Sequence, residues 1–173
     1  MFIADLHNDV LQRAMIGEDI SKKTDKGHSD LVRLNESCID LEVFVVWING
    51  KNFQEGAFKK ANKLYDKLEV LEKENNFIKI TKSAGDINRA KNNNILSTPI
   101  SIEGGEPIED KIENLYHFIN RGLFYFGPTW NHSLSWVSSG YDEIHNKKNI
   151  KNLGLNKFGI EVINTCNENG VII

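Results

Sequence analysis

The hydrophobic positions of the chain follow two periods, one typical of strands and the other typical of helices. The run IDLEVFVVWI (39–48) is rich in β-branched and aromatic residues and predicts a buried strand. Between residues 55 and 75, apolar side chains recur at helical spacing, with lysines and glutamates on the opposite face. STPISIEGG (97–105) and LFYF (123–126) predict further strands, and residues 155–169 predict another helix.

Strands that alternate with helices are typical of an α/β fold with a parallel sheet. The polar stretches 18–30 and 138–152 predict loops between these elements. We expect a short helix at residues 86–91 and a longer one beginning at Pro107, because proline and the acidic residues after it suit a first helical turn. Right-handed crossover connections would then place the carboxyl ends of all strands on one side of the sheet.

A polar cluster ends the first apolar segment, FIADLHNDV (2–10). Side chains alternate along a strand, so Asp5, His7 and Asp9 are expected to point the same way. The cluster is open to two interpretations. It is either a polar strand end entering a turn, or half of a site for zinc or a similar divalent ion, which imidazole and carboxylate groups suit.

Two other predicted strands also end in polar residues. Glu103 precedes Gly104 and Gly105, and the segment TWNH (129–132) follows LFYF. Active sites of α/β proteins are built at the carboxyl ends of the strands, so these residues are candidates for a site. The glycine pair lacks the wider spacing of a dinucleotide-binding loop, which favours metal or acid–base chemistry over nucleotide binding.

Charge and composition exclude several classes of function. The net charge is −3 and the pI is about 6.0, which gives no basic surface for nucleic acid or an anionic membrane. No apolar run is long enough to span a bilayer, and the N-terminus lacks the features of a signal peptide. Cys38 and Cys166 have no metal-type spacing and are expected to be buried and inert, which predicts a cytoplasmic protein.

Four stretches, in order along the chain, resemble the membrane (renal) dipeptidases and their bacterial relatives. That family comprises zinc dipeptidases of the metal-dependent hydrolase superfamily. The stretches are DLHNDV (5–10), SDLVRLNESCIDLEVFVVWI (29–48), ISIEGGEPI (100–108) and NLGLNKFGIEVINTCNENGVII (152–173). The resemblance implies a TIM-type (β/α)8 barrel fold and the hydrolysis of dipeptide substrates.

The resemblance also implies roles for individual residues. His7 and Asp9 match ligands of the first zinc ion, and Glu103 matches the carboxylate that bridges two zinc ions. In that family the two metals share a water that attacks the scissile carbonyl. Asp5 is then expected to act beside Glu103, holding an imidazole or orienting the metal-bound water.

The chain departs from the family pattern in two places. The position of a substrate-contacting histidine falls on Trp130, with His132 two residues further on, and both are candidates for substrate binding. The chain ends at Ile173, before the segment that supplies the next zinc-binding histidine of the family. A complete barrel needs about 250 residues and eight strands. We therefore expect one domain over residues 1–173, an N-terminal half-barrel truncated to about five strands, which holds at most one zinc ion.

A half-barrel exposes strand edges and apolar surfaces that the missing units would cover. We therefore expect the chain to associate with a separately encoded C-terminal half or with a second copy of itself, and to hydrolyse dipeptides poorly alone. The alternative is a non-catalytic fragment or interaction module that retains at most one metal. A different hydrolase of the same superfamily is less favoured, because Glu-Gly-Gly and Gly-Leu-x-x-Phe-Gly are more specific than His-x-Asp.

Overall fold

The computed structural model describes residues 1–48, 56–146, 148, 150 and 154–173. Strands and helices alternate along most of this part of the chain, as predicted, except that two helices follow the first strand, two strands follow the fourth helix and two helices follow the last strand. The strands are β1 (Ala4–Asn8), β2 (Leu41–Trp47), β3 (Ile78–Lys79), β4 (Leu96–Ser97), β5 (Ile100–Glu103) and β6 (Leu123–Gly127). The helices are α1 (Val10–Met15), α2 (Leu31–Glu36), α3 (Ala57–Glu74), α4 (Ala84–Asn92), α5 (Ile112–Asn120), α6 (Gly140–His145) and α7 (Lys157–Glu168).

The strands form a sheet in the order β3-β4-β2-β5-β6, and β1 pairs with β2. The pairs β1–β2, β2–β4 and β3–β4 are parallel, with Ala4 opposite Leu41 and Leu41 opposite Ser97. The register of β1 against β2 shifts between Asp5 and Asn8, directly before the end of β1. This irregularity lies where the predicted site residues begin, as is common for bulges near functional sites.

The chain divides into two compact units. The first comprises Met1–Val46 and Asn62–Ser101. Its core is formed by β2, in which every residue from Leu41 to Val46 is buried, and by the apolar face of α3. Apart from Glu42, β2 is apolar, as a central strand of a parallel sheet requires when both of its faces are covered.

The second unit comprises Trp47–Ala61 and Ile102–Ile173. Here the residues after β5 run beside the end of β6, with the Gly104 amide donating to the Gly127 carbonyl at 2.9 Å. Helix α5 contacts β6, and its Leu115 and Phe118 side chains are completely buried. After α7, the chain returns to β6 and forms a parallel bridge between Ile172 and Tyr125.

The predicted helix over residues 55–75 is confirmed as α3, although Glu55 lies outside the described residues. The predicted helix start at Pro107 is wrong. Residues Glu106–Ile108 form a short 3₁₀ turn, and Glu109 and Asp110 have positive φ angles of 49° and 54°. Two successive left-handed residues cannot continue a right-handed helix, so α5 begins only at Ile112.

The predicted loop over residues 138–152 contains helix α6, for which Ser139 accepts a hydrogen bond from the Asp142 amide. Residues 147, 149, 151 and 152 of that prediction lie outside the described residues. Of the two cysteines, Cys166 is buried as expected, whereas Cys38 is exposed at a positive φ of 61°. Among the helices of the described segments, none is long and apolar enough to cross a membrane.

The turn after β5 leaves no room for a side chain at Gly105. A Cβ there would lie 2.8 Å from the Pro128 carbonyl oxygen and 2.9 Å from Leu134 Cδ1, and would also meet the buried Trp136 ring. We predict that Gly105→Ala lowers the free energy of unfolding by about 1–3 kcal/mol, as expected for overpacking. Urea unfolding would measure the change.

Gly140→Ala is the matched control for this substitution. Nothing lies within 4 Å of a Cβ at Gly140, which is the first residue of α6. This variant should be as stable as the wild type. Equal stability of Gly105→Ala and the wild type would contradict the tight packing at this turn.

Candidate functional site

The end of β1 brings two of the predicted metal ligands together. His7 Nε2 lies 3.6 Å from Asp9 Oδ2, and both side chains are about half exposed, at 45% and 56%. Asp5 contacts this pair through the backbone, because its Oδ1 accepts a hydrogen bond from the His7 amide at 3.1 Å. An exposed imidazole beside a carboxylate can offer one nitrogen and one oxygen to a divalent ion.

Asn8, between the two predicted ligands, is held from several sides. Its Nδ2 donates to Glu42 Oε1 on β2, and its side chain also bonds the Ser29 hydroxyl at 3.2 Å. Its Oδ1 accepts from the amide of Val10, the first residue of α1, at 2.9 Å. The Asn8 amide therefore joins the end of β1 to both its neighbouring strand and the following helix. We infer that this network fixes the backbone from which His7 and Asp9 project.

Glu42 is completely buried on β2. Burial raises the pKa of its carboxyl group to about 7, the hydrogen bond from Asn8 opposes this shift, and the negative charge of Asp5 adds to it. Sequence reasoning missed this group. The available signal was a glutamate inside the apolar run IDLEVFVVWI, since a charged residue in a strand buried on both faces needs a specific partner.

In the second unit, Glu103 is the last residue of β5 and is half-buried. The two glycines after it hydrogen-bond to the chain after β6, with the Gly105 amide donating to the Pro128 carbonyl at 3.0 Å. This pairing brings the end of β5 beside the start of the loop that carries Trp130 and His132. The turn that follows Glu103 is therefore hydrogen-bonded to the segment that leads into this loop.

Trp130 and His132 belong to an aromatic cluster with Trp47. The Trp130 ring packs edge-on against Trp47, with ring centroids 4.9 Å apart, and its centroid is 6.1 Å from that of His132. Trp130 is 37% exposed, so part of its ring is accessible to a ligand. Asp142 of α6 fixes the loop by accepting a hydrogen bond from the Ser133 amide at 2.7 Å.

Glu106 is a second carboxyl group that sequence reasoning missed. It is only 5% exposed, in the 3₁₀ turn after Gly104 and Gly105. Burial raises its pKa to about 7, and the charge of Glu103 contributes to the rise. A charged residue directly after the glycine pair was the only sign of it in the sequence.

The sequence model of the membrane dipeptidase family, peptidase family M19, matches residues 1–173. The chain belongs to this family. A search of curated proteins finds no match for it. The assignment to the family therefore rests on the sequence model, which covers the whole chain.

Several solved structures share the fold of this chain over nearly its whole length. The dipeptidase AC, a metallopeptidase of family M19, matches 99% of this chain with a TM-score of 0.84 and 21% identity. A metallopeptidase from Rhodobacter sphaeroides, bound to a phosphinate mimic of the dipeptide L-Ala-D-Ala, matches 99% with a TM-score of 0.81 and 19% identity. The probable dipeptidase PvdM from Pseudomonas aeruginosa matches 100% with a TM-score of 0.79 and 19% identity.

These matches confirm the expected fold class, an α/β fold corresponding to part of the TIM-type barrel of M19 dipeptidases. The chain spans about half the length of the solved proteins, with 55% of the dipeptidase AC, 57% of the Rhodobacter enzyme and 46% of PvdM covered. Family M19 consists of metallopeptidases, so the chain is by family a hydrolase.

The raised pKa of Glu42 predicts how stability depends on pH. The folded state keeps the proton up to about pH 7, whereas the unfolded chain releases it near its ordinary value of 4.5. The contribution of Glu42 to the free energy of unfolding is therefore complete below pH 4.5 and is lost as the pH rises through 7. We predict that Glu42→Gln, which keeps an oxygen for Asn8, is more stable than the wild type above pH 7, by up to about 3 kcal/mol.

Urea unfolding at a series of pH values measures this difference. Glu74→Gln, at the exposed end of α3, is the control and should reproduce the wild-type pH profile. Glu106 contributes to the same decline in the wild type, so Glu42→Gln should reduce the slope without abolishing it. A slope identical to that of the wild type would contradict a buried, protonated Glu42.

Proposed function

We propose that this chain carries part of the active site of a zinc-dependent dipeptidase. His7, Asp9 and Glu103 are assigned as metal ligands, because they offer one imidazole nitrogen and two carboxylate oxygens. This donor set suits zinc and similar divalent ions. The observation that carries the proposal is the match of the M19 family over the whole chain, together with the His7–Asp9 pair at the end of β1.

The remaining site residues are assigned roles from their surroundings. Asp5 holds the His7 backbone through the hydrogen bond to its amide, and so positions the imidazole. Trp130 and His132 are assigned to substrate binding, and the partly exposed indole of Trp130 would pack against the dipeptide. A bound binuclear zinc centre would supply an activated water and polarise the peptide carbonyl. Glu103 would be a carboxylate ligand of that centre.

The proposed activity needs more than the residues of this chain. Its solved relatives are about twice as long, and the apolar side chains of Phe2, Ile3 and Leu6 on and before β1 are 46%, 42% and 59% exposed. We propose that a separately encoded C-terminal half, or a second copy of the chain, covers this edge. We place the protein in the cytoplasm, which agrees with two cysteines that form no disulfide.

Metal content tests the proposed ligands directly. We predict that the purified chain, after dialysis against trace zinc, retains about one zinc ion per chain. One ion is expected because the proposed ligands form a single set. His7→Ala should lose it, because the imidazole is the only nitrogen donor of the proposed set. His28→Ala, an exposed histidine of the same unit, is the control and should retain the wild-type content. Elemental analysis gives the stoichiometry.

A folded chain without zinc, or zinc retained in His7→Ala, would contradict this assignment of ligands. Circular dichroism on each sample separates loss of metal from loss of fold. Absence of zinc in a folded wild-type chain would support the alternative of a non-catalytic fragment.

Hydrolysis of a dipeptide tests the requirement for a partner. We predict that the zinc-loaded chain alone cleaves L-Ala-D-Ala at close to the uncatalysed rate, because removing ligands of a catalytic centre costs several orders of magnitude in rate. A coupled amino-acid assay would follow the product. Rapid turnover by the isolated chain, abolished in Glu103→Gln, would show that this chain is sufficient for catalysis.

A further inference from the structure

Strand β1 is an edge strand that little packing holds in place. Among the described strands, β2 is its one neighbour. Its side chains from Ala4 to His7 are exposed, and they alternate between the two faces of the strand. Its register against β2 is interrupted between Asp5 and Asn8, which shortens the regular ladder. A strand with so few buried contacts opens locally at a low cost in free energy, so β1 needs other anchors.

The two ends of β1 are anchored by side chains of neighbouring elements. At its end, Asn8 forms the network with Glu42 and α1 described above. At its start, Asp40, the residue before β2, binds both backbone groups of Ile3. Asp40 Oδ2 accepts a hydrogen bond from the Ile3 amide at 2.8 Å, and the Asp40 amide donates to the Ile3 carbonyl at 2.9 Å.

Lys91, in the last turn of α4, joins Asp40 to the residues before β1. Its Nζ donates to Asp40 Oδ1 at 2.6 Å and to the Met1 carbonyl at 3.3 Å. It also lies 5.4 Å from the centroid of the Phe2 ring, within the range of a cation–π contact. We call these contacts of Asp40 and Lys91 with residues 1–3 the β1 clamp.

The β1 clamp differs from an ordinary surface ion pair, which contributes little to stability. The Asp40 side chain is only 19% exposed, and each of its oxygens has a partner. The hydrogen bond from Lys91, and next that from the Ile3 amide, lower the pKa of Asp40, so its carboxylate is ionised at neutral pH. Hydrogen bonds to ionised groups are stronger than those between neutral groups.

We propose that Asp40 and Lys91 hold the start of β1 against β2 and are positioning residues for His7. His7 lies between the two anchored ends, and its amide donates to the Asp5 side chain of the same strand. A strand released at its start would open towards His7, since its exposed faces oppose this little. The role of His7 and Asp9 as metal ligands rests on the function proposed above, whereas the clamp does not depend on it.

Amide hydrogen exchange, resolved by NMR on the ¹⁵N-labelled chain, tests the clamp without metal. We expect Lys91→Met, which removes the ammonium group, to speed exchange in β1 about tenfold or more, with β2 and α3 unchanged. Asp40→Asn keeps an oxygen for the Ile3 amide but loses the charge, and should also speed exchange in β1. The double variant should exchange no faster than Lys91→Met, because both substitutions remove the same ion pair.

Lys79→Met is the matched control. In the same unit, Lys79 Nζ lies 2.8 Å from Glu72 Oε1, which also accepts a hydrogen bond from the Ile80 amide at 2.9 Å. A carboxylate is again shared by a lysine and a backbone amide, but here the lysine belongs to β3. Exchange in β1 should therefore equal that of the wild type.

Zinc affinity, measured by competition with a chromophoric chelator, tests whether the clamp positions the proposed ligand. We expect Lys91→Met to bind zinc about tenfold more weakly or worse, as for the loss of other groups that orient metal ligands. Lys79→Met should bind zinc as the wild type does.

Unchanged exchange in β1 of folded Lys91→Met and Asp40→Asn would overturn the clamp, as would an equal rise throughout the first unit. Faster exchange in β1 with unchanged zinc affinity would overturn the positioning role. If the wild type binds no zinc, the proposed ligands fail, and exchange at the His7 amide alone decides whether the clamp positions that residue. If Lys91→Met does not fold, Asp40→Asn decides.

Discussion

Parallel hydrogen bonding between neighbouring strands is the constraint on which the positions of the candidate residues depend. In a parallel sheet, the carboxyl ends of all strands lie at the same edge, and the loops that begin there carry the polar residues. In the first unit this constraint places His7 and Asp9 at the end of β1, which pairs with β2. In the second it places Glu103 and the glycine pair beside the start of the loop to Trp130.

Each unit has a buried carboxyl group close to candidate site residues. Glu42 accepts a hydrogen bond from Asn8, whose amide also joins β1 to α1, so part of the cost of burying it is offset by a neighbouring side chain. Glu106 accepts a hydrogen bond from its own backbone amide. The second oxygen of each group, Glu42 Oε2 and Glu106 Oε2, has no hydrogen-bond partner within the described residues. Burial that is only partly compensated raises the pKa of both groups to about 7.

The chain belongs to family M19 and spans about half the length of its solved relatives. Membership of family M19 supports the proposal of metal-assisted hydrolysis, for which His7, Asp9 and Glu103 are the proposed ligands. The solved relatives supply roughly as much chain again, and the exposed apolar residues on β1 are consistent with a surface that a partner covers.

The sequence by itself determined the alternation of strands and helices, the strand ends that carry the candidate ligands, and the family. These features are local patterns: β2 is an apolar run interrupted only by Glu42, and α3 has a clear helical period. Only the tertiary structure decided that α5 starts at Ile112 and not at Pro107, because the left-handed pair Glu109 and Asp110 is fixed by contacts with distant residues. It also decided which glutamates are buried, since desolvation depends on neighbours that are remote in the chain.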